Sequence, residues 1–137
     1  MKDIMQRIDK ANHVVLVAQI NPSADSLGAA SAMYTHLLRL HKKVSFFCAT
    51  KNIHSKLSFL PWSEKIRNSF PSSADFAIYV GCENDLQLEK NIKYCVLHSE
   101  ILSTSQMLYN FFAENEITFN KKMATALYAG LLEDTNG

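Results

Sequence analysis

The sequence predicts an α/β fold with a doubly wound, mostly parallel sheet flanked by helices. The first observation is a set of short, continuous apolar runs, which have the length of buried parallel strands. The second is that apolar residues between these runs recur at the helical period of about 3.6 residues. Because strand-like and helix-like segments alternate along the chain, a parallel sheet is the expected arrangement.

The chain begins with a predicted helix followed by a strand. Ile4, Met5 and Ile8 share one helical face within residues 3–11. The apolar run at residues 14–17 is too short and too rich in β-branched side chains for a buried helix. We therefore predict a buried strand there.

The next two elements are a helix over residues 26–41 and a second strand over residues 44–48. Apolar side chains of the helix fall three or four positions apart, so that they share one face. That face is formed by Leu27, Ala30, Tyr34, Leu37, Leu38 and His41.

Two more strands and two more helices complete the predicted order. Residues 76–80 and 94–97 are apolar runs separated by the polar, helix-prone segment 85–91. Ser103 and Gln106 have the spacing of a capping box ahead of an apolar helix. The last helix is predicted to bury one broad face. That face contains Met123, Ala124, Leu127, Tyr128, Leu131 and Leu132.

Composition favours one globular domain over residues 1–137. The chain has 47% hydrophobic and 20% charged residues, which is typical of globular proteins. Its formal net charge of +1 excludes a protein that holds nucleic acid by charge alone. No apolar run approaches the roughly 20 residues of a membrane span. The N-terminus lacks a signal-peptide pattern, so we expect a cytoplasmic protein without a membrane partner.

Cysteine and histidine positions suggest no metal centre by themselves. The cysteines are odd in number and form no Cys-x-x-Cys pair, so we expect reduced thiols at Cys48, Cys82 and Cys95. Four histidines lack metal-like spacing and are expected on the surface. They are His13, His36, His41 and His54.

Ligands of doubly wound folds bind outside the carboxyl ends of the strands. In this chain the corresponding loops are residues 19–28, 81–84 and 98–100. Few side chains in these loops can ligate a hard cation strongly. They are Asp25, Glu83, His98 and Glu100.

Residues 17–30, Val-Ala-Gln-Ile-Asn-Pro-Ser-Ala-Asp-Ser-Leu-Gly-Ala-Ala, resemble the first motif of the DHH phosphoesterase superfamily. Family members read roughly His-x-Asn-Pro-Asp-Gly-Asp-Ala-Ile-Gly-Ser there. The resemblance continues through residues 42–44, 56–61, 73–76 and 124–135, and it covers almost the whole chain. The most similar branch is the RecJ-like group of nanoRNases and pAp phosphatases.

This resemblance implies a parallel α/β domain that carries two manganese ions and hydrolyses short oligonucleotides or adenosine bisphosphate. It also fits the descriptions phosphoesterase, exonuclease-like and exopolyphosphatase-like. Family members continue into a C-terminal substrate-binding domain, whereas this chain stops at Gly137. The resemblance therefore implies a DHH-like domain truncated at its C-terminal end.

Carried over residue by residue, the resemblance implies a degenerate metal site. The family's first histidine ligand falls on Gln19 and its first aspartate on Ser23, whereas its second aspartate is retained as Asp25. The aspartate that ends the third strand falls on Gly81. The Asp-His-His signature has no counterpart after the fourth strand, where His98 is the remaining candidate ligand. No cofactor is expected, and manganese is implied by the resemblance alone.

Several of these residues also have structural interpretations. Asp25 is a residual catalytic or metal-binding residue, or it caps the helix that follows it. Gly28 is unfavourable in a helix, which suggests close packing or close backbone approach. Asp134 follows Glu133 at the negative end of a helix, where two acidic residues are disfavoured. It is therefore an inherited site residue, or the helix end frays and its charges are solvated.

The sequence leaves three classes of function open. The first is a degenerate phosphoesterase-like domain without two-metal hydrolysis, since neutral Gln19 and Ser23 cannot offset the charge of two cations. Whether the chain is an enzyme stays undecided, and an active manganese-dependent phosphoesterase is the remaining alternative in this class. The second class is a module that binds a nucleotide or short oligonucleotide through Ser23, Ser26 and Gly28 at a helix start. The third is a homodimer or a protein-binding domain with an apolar surface. That surface is expected around Phe111, Phe112, Leu131 and Leu132.

Overall fold

The computed structural model describes residues 2–83 and 92–136, with side chains over residues 3–83 and 92–130. Within these ranges, five parallel strands form one sheet in the order β3-β2-β1-β4-β5. The chain also makes 3₁₀ turns at Ser55–Leu57 and Ser63–Lys65. The helices and strands, in chain order, are α1 (Lys2–Lys10), β1 (His13–Ala18), α2 (Ala24–Arg39), β2 (Lys43–Phe47), β3 (Ile66–Arg67), β4 (Phe76–Val80), β5 (Lys93–Leu97), α3 (Thr104–Glu114) and α4 (Lys121–Asn136).

The observed architecture confirms the predicted α/β class. The four strands expected from apolar runs are β1, β2, β4 and β5, and all of them pair in parallel. Strand β3 was not predicted because its two residues are too short to show a period. The helix-prone segment 85–91 lies outside the described residues.

Alternate residues of the central strand β1 face two different cores. Val14 and Leu16 belong to the larger core, to which side chains from all four described helices contribute. Val15 and Val17 belong to a smaller core on the opposite face, which includes Phe70 from the connection between β3 and β4. Burial on both faces explains why β1 is a continuous apolar run instead of an alternating one.

Helix α2 begins two residues earlier than its apolar period indicated, because Ser23 is its N-cap. The Ser26 amide donates to Ser23 Oγ at 3.1 Å, and the Ser23 amide donates to Ser26 Oγ at 3.1 Å. This reciprocal capping box satisfies N–H groups that the helix leaves without partners. The predicted end at His41 was also wrong, since His41 has φ 59°, outside the helical region.

Close packing of α2 against α4 explains the glycine at position 28. A Cβ placed on Gly28 would lie 2.5 Å from the Ala126 carbonyl oxygen. The expected close backbone approach is therefore present, and its partner is helix α4. Gly130 repeats the pattern from the other side, since a Cβ there would overlap Ser105 Oγ and lie 3.1 Å from Asp25 Cα.

Two histidines that were expected on the surface are buried. His13 is 4% exposed, and its ring nitrogens bond Ser73 Oγ at 2.8 Å and Ser45 Oγ at 2.7 Å. His36 is 5% exposed and packs edge-on against Phe112. Burial, with a contribution from Arg39, lowers the pKa of His36 to about 4. A neutral imidazole can pack in a core as an aromatic ring does. The spacing of histidines in the sequence does not show which of them are buried in this way.

The buried faces of the last two helices differ in part from the prediction. Phe111 and Phe112 are fully buried, so they do not themselves contribute to the apolar surface that was expected around them. On α4, Ala124 is exposed and Tyr128 is 64% exposed. Leu131 and Leu132 have side chains outside the described residues. The observed buried face of α4 consists of Met123, Ala126, Leu127 and Gly130.

No helix in the described part of the chain has the length and apolarity needed to cross a membrane. The described cysteines are all free thiols: Cys48 and Cys95 are buried and Cys82 is half-buried.

We predict that Gly28→Ala lowers the free energy of unfolding by about 1–3 kcal/mol, because overpacking against α4 exceeds the gain in helix propensity of about 1 kcal/mol. Urea denaturation measures the change. Ala124→Gly, at an exposed position of α4, is the control that isolates helix propensity. A stabilised Gly28→Ala variant would show that α2 and α4 do not approach this closely.

Acid should weaken the fold through His36. Its pKa is 6.5 in the unfolded chain and about 4 in the fold, so between these values the unfolded chain binds the extra proton. Stability is therefore lost as pH falls through this window, by about 2 kcal/mol between pH 7 and pH 5. His36→Leu should remove that part of the pH dependence. His41→Asn, which changes an exposed histidine, should retain it in urea titrations at the two pH values.

Candidate functional site

The candidate site lies at the carboxyl edge of the sheet, where the segments that follow β1, β4 and β5 meet. A cleft of about 350 Å³ opens there. It lies where ligands of parallel α/β sheets bind, outside the carboxyl ends of the strands. The cleft is lined by Ala18, Gln19, Ile20, Gly81, Cys82, Glu83 and His98.

Asp25 lies in the first turn of α2, but its carboxylate caps the first turn of α3. Oδ2 accepts a hydrogen bond from the Thr104 amide at 2.8 Å, and Oδ1 accepts one from the Ser105 amide at 2.9 Å. Ser105 Oγ also donates to the Asp25 carbonyl at 3.2 Å. The carboxylate therefore satisfies two N-terminal amides of a helix and compensates the positive end of its dipole.

Sequence analysis expected Asp25 to cap α2, the helix in which it lies. In the structure its carboxylate caps α3 instead. Ser23 caps α2, and Asp25 joins α2 to α3 across 80 positions of the chain. Ser103 is the N-cap of α3, and its Oγ accepts from the Gln106 amide at 3.1 Å. The N-terminus of α3 therefore has a local cap and a distant one.

The residues predicted to bind phosphate have structural contacts at the start of α2. Ser26 is 2% exposed, and its hydroxyl donates to the Ser23 carbonyl at 3.3 Å. Gly28 is buried beneath α4. Ser23 is half-buried and lines a neighbouring cleft of about 410 Å³. That cleft is lined by Asn21, Pro22, Ser23, Ala24, Thr50, Asn52, Ile53, His54, Lys56 and Leu57.

Gly81 occupies a position that only glycine fits well. Its φ of +77° is rarely adopted by residues with a side chain. A Cβ there would also lie 2.8 Å from Ser26 Cβ and 3.1 Å from Thr104 Oγ1. Both the backbone conformation and the packing of α2 and α3 therefore exclude a larger residue at the end of β4.

The other polar side chains of the cleft make few mutual contacts. His98 Nε2 lies 3.6 Å from Glu100 Oε1, while its Nδ1 is buried without a hydrogen-bond partner in the described structure. Cys82 Sγ lies 3.9 Å from the Val17 carbonyl oxygen. Sequence analysis did not assign Cys82 to the site, although its position after a strand was the available signal.

Asp134 lies in α4, and its side chain falls outside the described residues. Among the residues whose side chains are described, no three His, Cys, Asp or Glu groups converge to hold a metal ion. The described lining of the cleft thus presents a histidine, a thiol and one carboxylate.

One solved structure with a similar fold is that of an exopolyphosphatase-related protein from Bacteroides fragilis. Its TM-score is 0.86 and its sequence identity is 15%, over 99% of this chain and 50% of that protein. The chain therefore spans about half the length of this neighbour. No protein-family model and no curated protein matches the sequence. The likeness establishes a shared fold.

We expect Asp25→Asn to lower the free energy of unfolding by about 1–3 kcal/mol. The asparagine side chain lacks the negative charge and has one acceptor oxygen, whereas the carboxylate has two that face α3. Chemical denaturation measures the loss. Glu83→Gln, an exposed carboxylate of the same edge, should change stability by less than about 0.5 kcal/mol. If the two variants were equally stable, the proposed capping role of Asp25 would be wrong.

Proposed function

We propose that this chain is a DHH-type phosphoesterase domain with a degenerate metal site, which does not hydrolyse phosphodiesters or phosphomonoesters by itself. The observation that carries the proposal is the Asp25 carboxylate, whose two oxygens accept amides of α3. By the resemblance of residues 17–30 to the first DHH motif, Asp25 stands at the position of a metal-binding aspartate. Its lone pairs face the start of a helix, so a cation there would compete with two charge-assisted hydrogen bonds.

The described residues of this edge do not fit a pair of manganese ions. Two-metal hydrolysis needs carboxylates that bridge ions about 4 Å apart and additional terminal ligands. Gly81, at the position of the second bridging carboxylate, has no ligand atom and no room for a side chain. Gln19 and Ser23 supply neutral oxygens, which ligate more weakly than an imidazole or a carboxylate.

The packing around Gly81 favours the loss of the whole metal site and not of one ligand alone. Ser26 and Thr104 fill the space beside Gly81, and Thr104 is also the residue that Asp25 caps. An aspartate at position 81 would therefore have a strained backbone and would force the Ser26 side chain to shift. The fold is retained, while the geometry that the chemistry requires is replaced by helix-helix packing.

Binding of a nucleotide or short oligonucleotide without hydrolysis is the second candidate function. The observation that favours it is the cleft of about 410 Å³ beside the start of α2, where Lys56 and His54 lie near Ser23. A lysine can pair with a phosphate, and the helix start favours negative charge. This candidate does not require a metal ion.

The test is to titrate manganese into the purified chain by calorimetry and to assay the same samples for hydrolysis of a dinucleotide, adenosine bisphosphate and inorganic polyphosphate. Polyphosphate is included because the structural neighbour is described as exopolyphosphatase-related. We expect no tight binding of two ions and no metal-dependent turnover. Saturable dinucleotide binding without turnover would support the second candidate.

Variants at the residual candidate ligands provide the control. Asp25→Asn and His98→Gln should give the same background as the original chain, after circular dichroism confirms that both are folded. Turnover that depends on manganese and disappears in both variants would overturn the degenerate-site proposal. Turnover that is unchanged in both variants would identify a contaminating phosphoesterase.

A further inference from the structure

A third cleft lies at the opposite, amino edge of the sheet, far from the loops of the candidate site. It has a volume of about 490 Å³ and lies between the C-terminal half of α1 and the starts of β4 and β5. Polar and apolar side chains share its wall. The lining residues are Arg7, Lys10, Ala11, Ala74, Asp75, Phe76, Ile92 and Lys93.

Positive charge is concentrated in this amino-edge cleft. Among the described lining residues, Arg7, Lys10 and Lys93 contribute three positive charges and Asp75 one negative charge, which leaves +2. The whole chain has a formal net charge of only +1. The described part of the cleft is therefore a local positive feature on a nearly neutral molecule, which favours the binding of an anion there.

The carboxylate among the described lining residues, that of Asp75, is already held by the backbone. Asp75 Oδ1 accepts from the His13 amide at 2.8 Å, and Oδ2 accepts from the Asn12 amide at 3.0 Å. These bonds are the main reason that the pKa of Asp75 lies below its ordinary value. Since two amides compensate Asp75, its charge competes only partly for the three cations.

Arg7 is held in a defined orientation before any ligand arrives. One terminal nitrogen, Nη2, donates to the Tyr94 carbonyl at 2.7 Å. The guanidinium carbon lies 5.0 Å from the centroid of the Phe76 ring. A guanidinium has five N–H donors, so this contact leaves donors for a second acceptor. Preorganisation reduces the entropy that binding would otherwise cost.

We propose that this cleft binds a small organic dianion, such as a phosphate monoester or a dicarboxylate, that carries an apolar group. Two net positive charges match a dianion better than a monoanion. Ala11, Ala74 and Ile92 provide an apolar wall for the uncharged part of the ligand. The site is independent of the degenerate metal centre, because the two lie at opposite ends of the strands.

The experiment titrates the ¹⁵N-labelled chain with phenyl phosphate and with phthalate, two aromatic dianions of different chemistry. Benzoate is the monoanion control. We expect saturable shifts at the amides of Lys10, Ala11 and Lys93, with either dianion binding about tenfold more tightly than benzoate. The dianion with the lower Kd then shows whether the cleft prefers a phosphate monoester or a dicarboxylate.

Paired charge variants test the location. Lys10→Gln with Lys93→Gln should weaken binding about tenfold, because two charge-assisted contacts are lost. Lys51→Gln with Lys121→Gln removes the same charge at exposed positions outside the cleft, and it should change the Kd by less than about twofold at constant ionic strength. Equal losses in both pairs, shifts confined to the carboxyl edge, or no saturable binding would overturn the proposal.

Discussion

The structure depends on the pair of hydrogen bonds from the start of α3 to the Asp25 carboxylate. These bonds join α2 to α3 and satisfy two amides at the start of α3 that have no partner within that helix. Helix α4 then packs into the space that Gly28 and Gly130 leave open, with Gly130 lying over Asp25 itself. A capping contact between distant helices thereby sets the position of a whole layer on one face of the sheet.

The same contact constrains what the carboxyl edge can do chemically. Each oxygen of the Asp25 carboxylate accepts one amide of α3, so a cation at this position would compete with two charge-assisted hydrogen bonds. Gly81 is packed against Ser26 and Thr104, so the same helix starts that surround Asp25 also limit the side chain at the end of β4. What this edge can bind therefore depends on the arrangement of the site and not on the presence of one acidic residue.

At the amino edge of the sheet, the polar contacts leave a cleft open instead of filling it. There His13 is buried between two serine hydroxyls, and Asp75 is held by backbone amides of the segment that leads into β1. These contacts tie the connection before β4 to the central strand and leave basic side chains around an open cleft. Sequence analysis did not single out Arg7, Lys10 and Lys93, because they are separated along the chain and meet only in the fold.

Local patterns determined the strands, the helices and their order. Apolar runs on a doubly buried sheet and periodic apolar faces on helices depend on residues close together in sequence, so β1, β2, β4 and β5 were predictable. The close approach required at Gly28 was also visible, since glycine is otherwise unfavourable in a helix. Tertiary structure alone decided which helix Asp25 caps, why Gly81 admits no side chain, and that His36 is buried. Each of these depends on a partner from another element, and no local period encodes which distant backbone amide or aromatic ring will lie beside a given residue.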